Sequence, residues 1–243
     1  MESSQRRGPA PVPGGNTERE HLIAVFTALI EPLGHALPAS SEAVLHDLAR
    51  LPDSIVAVSG DVTGRRVGDP ATDLLLEQAA SGRFQDRVGY RTRLPDGRAM
   101  RSTTMIVRDS AGTAVAALCI NTDLSVWTAL EKVARTMTGT GGAEQTGQPA
   151  DDAGPAEAEH FVRDVDELAA QLIHEAVREQ GIPVDLMKKE HKIAVVRSLQ
   201  ARGMFMLRDA VEMIATSLHV TRFTIYNYLN EISEDRGRDG RPR

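Results

Sequence analysis

The stretch AVEMIATSLHVTRFTIYNYL, residues 210–229, has the pattern of two short helices joined by a tight turn. In its first half, apolar residues recur at helical spacing, at Val211, Ile214, Ala215 and Leu218. Thr221 is placed to cap a second helix. The inner face of that helix is predicted to consist of Ile225, Tyr228, Leu229 and Ile232. This pattern predicts a helix-turn-helix at residues 210–230 whose second helix enters the major groove of DNA.

The turn between the two predicted helices has His219 where such motifs usually have glycine, because that position needs a positive φ angle. Histidine is among the non-glycine residues that adopt this conformation. Ala215 lies where the two helices are expected to cross, and a larger side chain there would push them apart. The alternative interpretation is an ordinary pair of antiparallel helices in a helical core, without DNA contacts.

The outer face of the second helix supplies the candidate DNA contacts, which are Thr221, Arg222, Phe223, Thr224, Tyr226 and Asn227. Arg222 is the leading base-reading residue, because a guanidinium can bond guanine O6 and N7 together. Asn227 can pair with adenine in the same bidentate way. Thr221 and Thr224 are candidates for phosphate contacts. Phe223 is predicted either to touch a thymine methyl group or to pack inward.

Two further helices are predicted upstream of this motif. Asp185 is placed to cap the nearer helix and Gly203 to end it. Its inward residues are predicted to be Leu186, Ile193, Val196 and Leu199. Its outward lysines, which are candidate phosphate contacts, are Lys188, Lys189 and Lys192. The farther helix, which Gly181 and Pro183 end, is indicated by an apolar stripe of Phe161, Val165, Leu168, Leu172 and Ile173. This stripe serves either a dimer interface or packing within its own domain.

Composition restricts the class of protein. The chain has 243 residues, enough for two modest domains, and a formal net charge of −6. The part from Asp185 onward has a small basic surplus, so the positive charge lies with the predicted DNA-binding motif. The single cysteine, Cys119, excludes an internal disulfide and a cysteine-rich metal site. No apolar run fits a membrane span or a signal peptide, which predicts a cytoplasmic protein without membrane contact.

The N-terminal half predicts an α+β domain. Its first helix is expected to begin with a capping box at Thr17 and Glu20 and to end at Pro32 and Gly34. The apolar face of this helix is predicted to comprise Leu22, Val25, Phe26, Leu29 and Leu33. The strands are predicted at residues 42–48, 54–59, 85–94, 98–108 and 113–122, the last three forming an antiparallel meander. A helix starting at Asp69 and Pro70 and ending near Gly82 separates strands two and three, and another helix covers residues 124–136.

Several phrases in this half are similar to a known family. They are LHDL at 45–48, SIVA at 54–57, VTGR at 62–65, VGDP at 67–70, and ALCIN at 117–121 with Asp123. These resemble the YheO-like PAS domain, a five-stranded antiparallel sheet with flanking helices. The phrase YNYLNEI at 226–232 resembles the helix-turn-helix attached to that domain. The resemblance covers most of residues 20–232 and implies a bacterial transcriptional regulator, of the family that includes the D-arginine utilisation repressor.

The predicted domain order follows from the composition and the resemblance together. Residues 17–136 are expected to form a PAS-like sensor domain, and residues 160–232 an all-α DNA-binding domain. Residues 137–159 are rich in Gly, Pro, Ala, Thr and acidic residues without periodicity, which predicts a flexible linker. Residues 1–16 and 233–243 are expected to be disordered tails.

The candidate ligand contacts in the sensor domain are His46, Asp47, Thr63, Gly64, Arg65, Cys119 and Asn121. The loop that contains Thr63 to Arg65 offers backbone N–H groups and positive charge, which suit a small anion or a carboxylate. It has neither the dinucleotide-binding nor the P-loop spacing of glycines. The strand residues among the candidates either line a pocket or have only a structural role. No cofactor and no metal are predicted.

Two other classes are kept as alternatives. A small-molecule hydrolase is opposed by the lack of a G-x-S-x-G motif, and adjacent His46 and Asp47 point to opposite faces of a strand. The protein is therefore predicted not to be an enzyme. A redox or haem-sensing regulator would depend on Cys119 or His46, and a buried strand position disfavours a reactive thiolate at Cys119.

The sequence thus predicts a DNA-binding transcriptional repressor whose sensor domain binds a small-molecule effector and controls operator binding by a population shift. A homodimer or a higher homo-oligomer is expected, because one helix-turn-helix per chain makes little contact alone. A dimer would place two recognition helices about 34 Å apart on double-stranded operator DNA. The family resemblance suggests an effector related to amino acids.

Overall fold

The computed structural model describes residues 15–94, 96–138, 159, 161–162 and 164–239. The predicted N-terminal tail up to residue 14, linker residues 139–158 and the last four residues lie outside this range. Among the helices of the described residues, no helix is long and apolar enough to cross a membrane.

The N-terminal part forms a five-stranded sheet with three helices. The strands are β1 (Ser41–Asp47), β2 (Ile55–Ser59), β3 (Arg87–Arg93), β4 (Ala99–Arg108) and β5 (Ala114–Asp123). The helices are α1 (Gly15–Ala36), α2 (Asp73–Ser81) and α3 (Ser125–Met137). The strand order is β2-β1-β5-β4-β3, and all neighbouring strands are antiparallel. The predicted fold class, with two early strands, an intervening helix and a three-stranded meander, is confirmed.

The two faces of the sheet have different partners. On one face, α1 covers a cluster of apolar side chains that comprises Ile30, Ala43, Leu45, Ala57, Val115 and Ala116. Alternation along β1 places Glu42, Val44 and His46 on the opposite side, which we call the inner face. Register extends the inner face across β5 and β4, because Glu42 is paired with Asn121, which is paired with Ser102.

Helix α1 is longer than predicted. It continues through Pro32 and Gly34 to Ala36, and the Leu37 N–H still donates to the Leu33 carbonyl at 3.1 Å. Gly34 has another purpose than ending the helix, because a Cβ atom there would clash with the Ser59 side chain. The apolar face is also rotated from the prediction: Val25 and Leu29 are exposed, whereas Ile30 is buried.

Helix α2 starts three residues later than the predicted Asp69-Pro70 cap. Thr72 is the residue that caps it, since its hydroxyl accepts from the Leu75 N–H at 3.4 Å. Asp69 instead closes the preceding loop, with its carboxylate accepting from the Arg66 N–H at 2.7 Å. The predicted end at Gly82 is confirmed, where the backbone is left-handed with φ 65°.

The C-terminal part is all-α, as predicted. Its helices are α4 (Val165–Glu179), α5 (Lys189–Ala201), α6 (Ala210–Ser217) and α7 (Arg222–Asp239). The stripe proposed for α4 packs within the chain itself, because Leu168, Leu172 and Ile173 are buried against the other helices. The dimer interpretation of this stripe is therefore wrong. Phe161 lies before the helix and not on it.

Helices α5 and α7 also differ from their predicted bounds. A short 3-10 turn (Val184–Leu186) precedes α5, so Asp185 does not cap it and Leu186 is exposed. Met187 takes the buried position instead. Helix α7 continues to Asp239, beyond the predicted start of a tail at residue 233. An ion pair of 3.2 Å between Arg197 and Asp235 connects this extension to α5.

The helical part lies directly on the sensor part. Leu75 and Leu76 of α2 belong to the same apolar core as the helices α4 to α7. The approach is close at Gly203, where a Cβ atom would be 2.7 Å from the Leu76 carbonyl oxygen. Gly203 has φ 79°, so both its conformation and the lack of space require glycine. Helix α2 therefore connects the two parts through packing.

Candidate functional site

Helices α6 and α7 form the predicted helix-turn-helix. His219 in the turn has φ 52°, as its place in the motif predicts, and the Val220 N–H donates to the Ala215 carbonyl at 2.9 Å. Thr221 caps α7, since its hydroxyl accepts from the Thr224 N–H at 3.2 Å. Ile225 is fully buried between the helices. Local contacts therefore fix the angle between the two helices.

The outer face of α7 is exposed along its first two turns. Arg222, Phe223, Tyr226 and Asn227 all project from it, and 72% of Phe223 is exposed, so this ring does not pack inward. Arg222 forms an ion pair of 2.6 Å with Glu212 on α6. Such exposed ion pairs contribute little to stability. The Arg222 guanidinium can therefore leave Glu212 and bind another acceptor at a small cost in free energy.

The three predicted phosphate-contacting lysines have different surroundings. Lys192 is not directed outward, because its ammonium group donates to the Leu218 carbonyl at 2.8 Å and so caps the end of α6. Lys189 is exposed and lies 2.7 Å from the Glu231 carboxylate, whose hydrogen bond raises the pKa of this lysine. Lys188 is exposed at the start of α5. Phosphate contact stays a prediction for Lys188 and Lys189.

The sensor part contains a second candidate site, centred on Glu42 in the inner face. The fully buried Glu42 carboxylate accepts from the N–H groups of Val62 and Thr63 at 3.0 and 2.9 Å. It also accepts from the Thr63 hydroxyl at 2.7 Å and from the Asn121 amide at 3.0 Å. The loop predicted to hold an anion thus already holds a carboxylate of the chain. Gly64 continues this loop with φ 68°.

Arg65 lies beside Glu42 and is almost entirely buried. Its Nε donates to the Thr63 hydroxyl at 3.2 Å, and its Nη2 is 4.0 Å from the Glu42 carboxylate. The guanidinium carbon is 5.1 Å from the centroid of the Phe161 ring, which is a cation–π distance. Among the described residues, Nη1 of Arg65 has no hydrogen-bond partner. A buried guanidinium therefore keeps one donor unused, which costs free energy.

A chain of polar contacts continues from this point across the inner face. The Tyr90 hydroxyl lies 3.0 Å from the Thr104 hydroxyl and donates to the Glu159 carboxylate at 3.0 Å. Thr104 in turn lies 3.5 Å from the Cys119 sulfur. Burial, and then Glu159, raise the pKa of Tyr90, so its hydroxyl remains a donor. Burial raises the pKa of Cys119 to about 11, which keeps the thiol protonated and opposes the redox alternative.

Glu159, the last residue of the predicted linker, is buried together with Phe161 and Val162. We call these three residues the post-linker segment. Phe161 packs in a cluster with Val62, Leu94 and Met100 of the sensor part. Burial raises the pKa of Glu159 to about 7, while a hydrogen bond from Thr72 and the nearby Arg65 oppose that rise. A groove of about 490 Å³ adjoins the segment, and Thr63, Gly64 and Phe161 are among its lining residues.

Two of the predicted ligand contacts, His46 and Asp47, lie on opposite faces of the sheet. His46 lies on the inner face with Nδ1 2.9 Å from the Ser54 hydroxyl, and burial followed by Arg65 lowers its pKa to about 3. Asp47 points to the other face and pairs with Arg19 of α1 at 2.7 Å. Thr63, Arg65, Cys119 and Asn121 do converge on one region.

Sequence reasoning missed other polar residues of this region, namely Glu42, Thr72, Tyr90, Thr104 and Glu159. An acidic residue directly before the apolar run 43–45 of β1 was the available signal for Glu42. No comparable signal marked Glu159, which stands in a stretch of polar linker composition. Its burial depends on contacts between distant parts of the chain.

Comparison with known proteins confirms the resemblance seen in the sequence. Residues 17–139 match the YheO-like PAS domain, and residues 168–230 match an HTH domain. The transcriptional regulator DauR of Pseudomonas aeruginosa is 30% identical over 211 residues, which cover 86% of this chain and 93% of DauR. YheO of Escherichia coli K12 is 24% identical over 219 residues, which cover 86% and 84% of the two chains. An uncharacterized protein of Haemophilus influenzae is 26% identical over 220 residues, which cover 90% and 94%. The chain belongs to the YheO-like PAS family and is a DNA-binding transcriptional regulator.

Proposed function

We propose that the protein is a cytoplasmic repressor that binds operator DNA as a homodimer and is released by a small metabolite. The metabolite binds at the inner face of the sheet. The observation that carries this proposal is the shared core, in which Leu75 and Leu76 of α2 contact the helical part. A change around the inner face can reach the DNA-binding helices through this packing, without passing along the linker.

The proposed effector site comprises the region around Arg65, Tyr90, Thr104, Cys119 and Asn121. Arg65, Thr104, Cys119 and Asn121 are buried and Tyr90 is half-buried. Polar groups next to apolar side chains are typical of small-molecule sites. Thr72 and Asp73, at the start of α2, border the same region through their interactions with Glu159. An effector that binds here with different affinity in two arrangements of α2 shifts the population between them.

For the DNA contacts, we propose that Arg222, Tyr226 and Asn227 reach base edges and that Thr221 and Thr224 contact phosphates. Phe223 is proposed to touch a thymine methyl group, because its ring is exposed beside these residues. Lys188 and Lys189 are proposed to contact the flanking backbone. Binding by these groups would be salt-dependent, because phosphate contacts release counterions.

The dimer interface is proposed to lie on α3. Four of its apolar residues are spaced by four, three and four. They are Val126, Leu130, Val133 and Met137, all more than half exposed, and Trp127 is exposed beside them. This spacing is that of a coiled-coil seam, which fits a second copy of the same helix. A charge change at two seam positions, Leu130→Glu with Val133→Glu, should convert the dimer into a monomer in sedimentation experiments. Lys132→Glu, off the seam, should leave the dimer intact, and a monomeric wild-type protein would contradict this part.

The experiment that tests the proposed function is a titration of the DNA upstream of the protein's own gene at several salt concentrations. A panel of amino acids, keto acids and other small carboxylic acids is added in turn. We expect tight, salt-sensitive binding that one class of compound weakens at least tenfold. Binding that no compound changes would contradict the proposed sensing of a metabolite. Binding at the nonspecific level would show that this DNA is not the operator. A compound that strengthens binding, or a reporter gene activated by the protein, would contradict the repressor assignment.

A further inference from the structure

The post-linker segment occupies an unusual place for residues at the end of a predicted linker. Glu159, Phe161 and Val162 are each no more than 5% exposed. Phe161 lies in the apolar cluster of the sensor part, whereas Val162 belongs to the core of the helical part. Helix α4 begins only three residues later, at Val165. Removal of this segment from the sensor would therefore act directly on the helical part.

The contacts of the segment are those that a bound organic acid would make. The Glu159 carboxylate accepts a hydrogen bond from the Tyr90 hydroxyl at 3.0 Å, and the Thr72 hydroxyl and Arg65 lie near it. Beside it, the Phe161 ring fills an apolar space and lies under the Arg65 guanidinium. One carboxylate and one apolar body, side by side, thus fill the region with groups from the chain itself.

The fit of this occupant is incomplete. Nη1 of Arg65 has no hydrogen-bond partner among the described residues, although its side chain is 1% exposed. Arg65 contacts the segment through the Phe161 ring and the field of Glu159, without a hydrogen bond to Glu159 among those described. Burial also penalises the charged form of Glu159. A carboxylate with freedom to approach Arg65 would satisfy the unused donor and replace Glu159.

We infer that Glu159 and Phe161 are an internal occupant of the effector site, and that the effector is a small carboxylic acid with an apolar body. The acid displaces both side chains, takes the hydroxyl groups of Tyr90 and Thr72, and pairs with Arg65. Displacement frees the chain ahead of α4 and loosens the helical part from the sensor. This inference rests on the sensing part of the proposed function and specifies its ligand class and its competitor.

The probe for a direct test is 3-phenylpropanoate, which combines a carboxylate with a phenyl ring, and 3-phenylpropanamide is its uncharged control. Binding to the full chain is measured by calorimetry. In the variant Glu159→Ala with Phe161→Ala, the probe should bind at least about tenfold tighter than in the wild type, because both side chains of the internal competitor are removed. Glu77→Gln, at an exposed position on α2, should bind the probe as the wild type does. The amide should bind at least tenfold more weakly than the acid in every variant.

Hydrogen exchange supplies a second readout. A saturating concentration of the probe should increase exchange at the amides of Phe161 and Val162 in the wild type, because the segment is displaced. Tyr90→Phe in the double-variant background should weaken probe binding several-fold, while circular dichroism verifies the fold. If the double variant does not fold, Glu159→Ala alone should still bind the probe more tightly than the wild type.

Equal affinity of the probe for the wild type and the occupant variants overturns the inference, as does equal binding of acid and amide. Lack of probe binding to folded occupant variants, or unchanged exchange in the segment, also overturns it. The operator titration of the same samples separates this outcome from failure of the proposed function. If another compound releases the operator while the probe shows no difference among variants, the regulator proposal stands and the occupant does not. If the probe behaves as expected and no operator is bound, the internal occupant stands and the regulator proposal does not.

Discussion

The inner face of the sheet and the outer face of α7 both concentrate polar side chains, yet they treat charge in opposite ways. At the inner face, Glu42 and Arg65 are buried, and most of their polar atoms have partners within the chain. On α7, Arg222 is largely exposed and forms an ion pair with Glu212. The comparison shows that one polar face is part of the fold, whereas the other is free to exchange its partners.

The largest effect is expected from removal of the buried carboxylate in Glu42→Ala. The variant leaves two backbone N–H groups, the Thr63 hydroxyl and the Asn121 amide without their acceptor, next to a buried guanidinium. We expect a loss of about 3–5 kcal/mol in the free energy of unfolding, measured with urea. Glu77→Ala, at an exposed position, should change it by less than about 0.5 kcal/mol. A loss at Glu42 as small as this control would show that the inner face is not structural.

The next effect concerns pH and the docking of Glu159. Its pKa is about 7 when docked, against 4.5 for a free carboxyl, so the docked form holds a proton between these values that the released form lacks. Docking is therefore strongest at low pH and weakens as the pH rises from 4.5 to 7, by up to about 3 kcal/mol. The groups that face it are Arg65, Asp73 and Tyr90.

The measurement for this pH effect is amide exchange at Phe161 and Val162 at pH 6 and pH 8, corrected for intrinsic rates. Protection should be lower at pH 8 in the wild type. Glu159→Gln has no group to titrate there and should remove the difference. The same pH dependence in both proteins would assign the effect to another group.

Arg222→Ala should affect DNA and leave the fold intact. We expect a loss of about 1–3 kcal/mol in operator binding and relaxed preference at one base pair. The free energy of unfolding should stay within about 0.5 kcal/mol, because the pair with Glu212 is exposed. Arg66→Ala removes the same charge from an exposed loop of the sensor and should leave base preference unchanged. Unaltered preference in Arg222→Ala would remove this residue from the base-reading set.

A smaller effect is expected at Thr221, the residue that caps α7. Thr221→Ala removes the acceptor of the Thr224 N–H and should cost about 1 kcal/mol in unfolding. Thr221→Ser retains the hydroxyl and should restore most of this loss. Operator binding measured beside unfolding shows whether Thr221 also contacts DNA, since that contact would lower binding by more than the loss in stability explains.

Structure that depends on residues a few positions apart could be predicted from the sequence, whereas contacts between distant residues could not. The helix-turn-helix was predicted in detail, including the cap at Thr221 and the positive φ at His219, because residues a few positions apart determine it. The strands were predicted for the same reason. The sequence also showed that Thr63 and Arg65 favour an anion, but not that Glu42 supplies it. That pairing depends on register between a strand and a loop about twenty residues later.

Other differences arose where packing overrides local preference. Pro32 and Gly34 indicate the end of a helix, and α1 continues through both because Ile30 and Leu33 pack on the sheet. Lys192 was predicted to be directed outward, and the end of α6 provides it with an acceptor that no local pattern shows. The buried position of Glu159 depends on contacts with residues far earlier in the chain, such as Tyr90. A local sequence pattern therefore cannot predict it.

The close contact between Gly203 and the Leu76 carbonyl also has a consequence for engineering and for evolution. A DNA-binding half that shares its core with a sensor helix is not an interchangeable module. A chimera that grafts these helices onto another sensor must also transfer the surface of α2, including Leu75 and Leu76. Expressed without that surface, the C-terminal half would present an apolar patch to water and should aggregate.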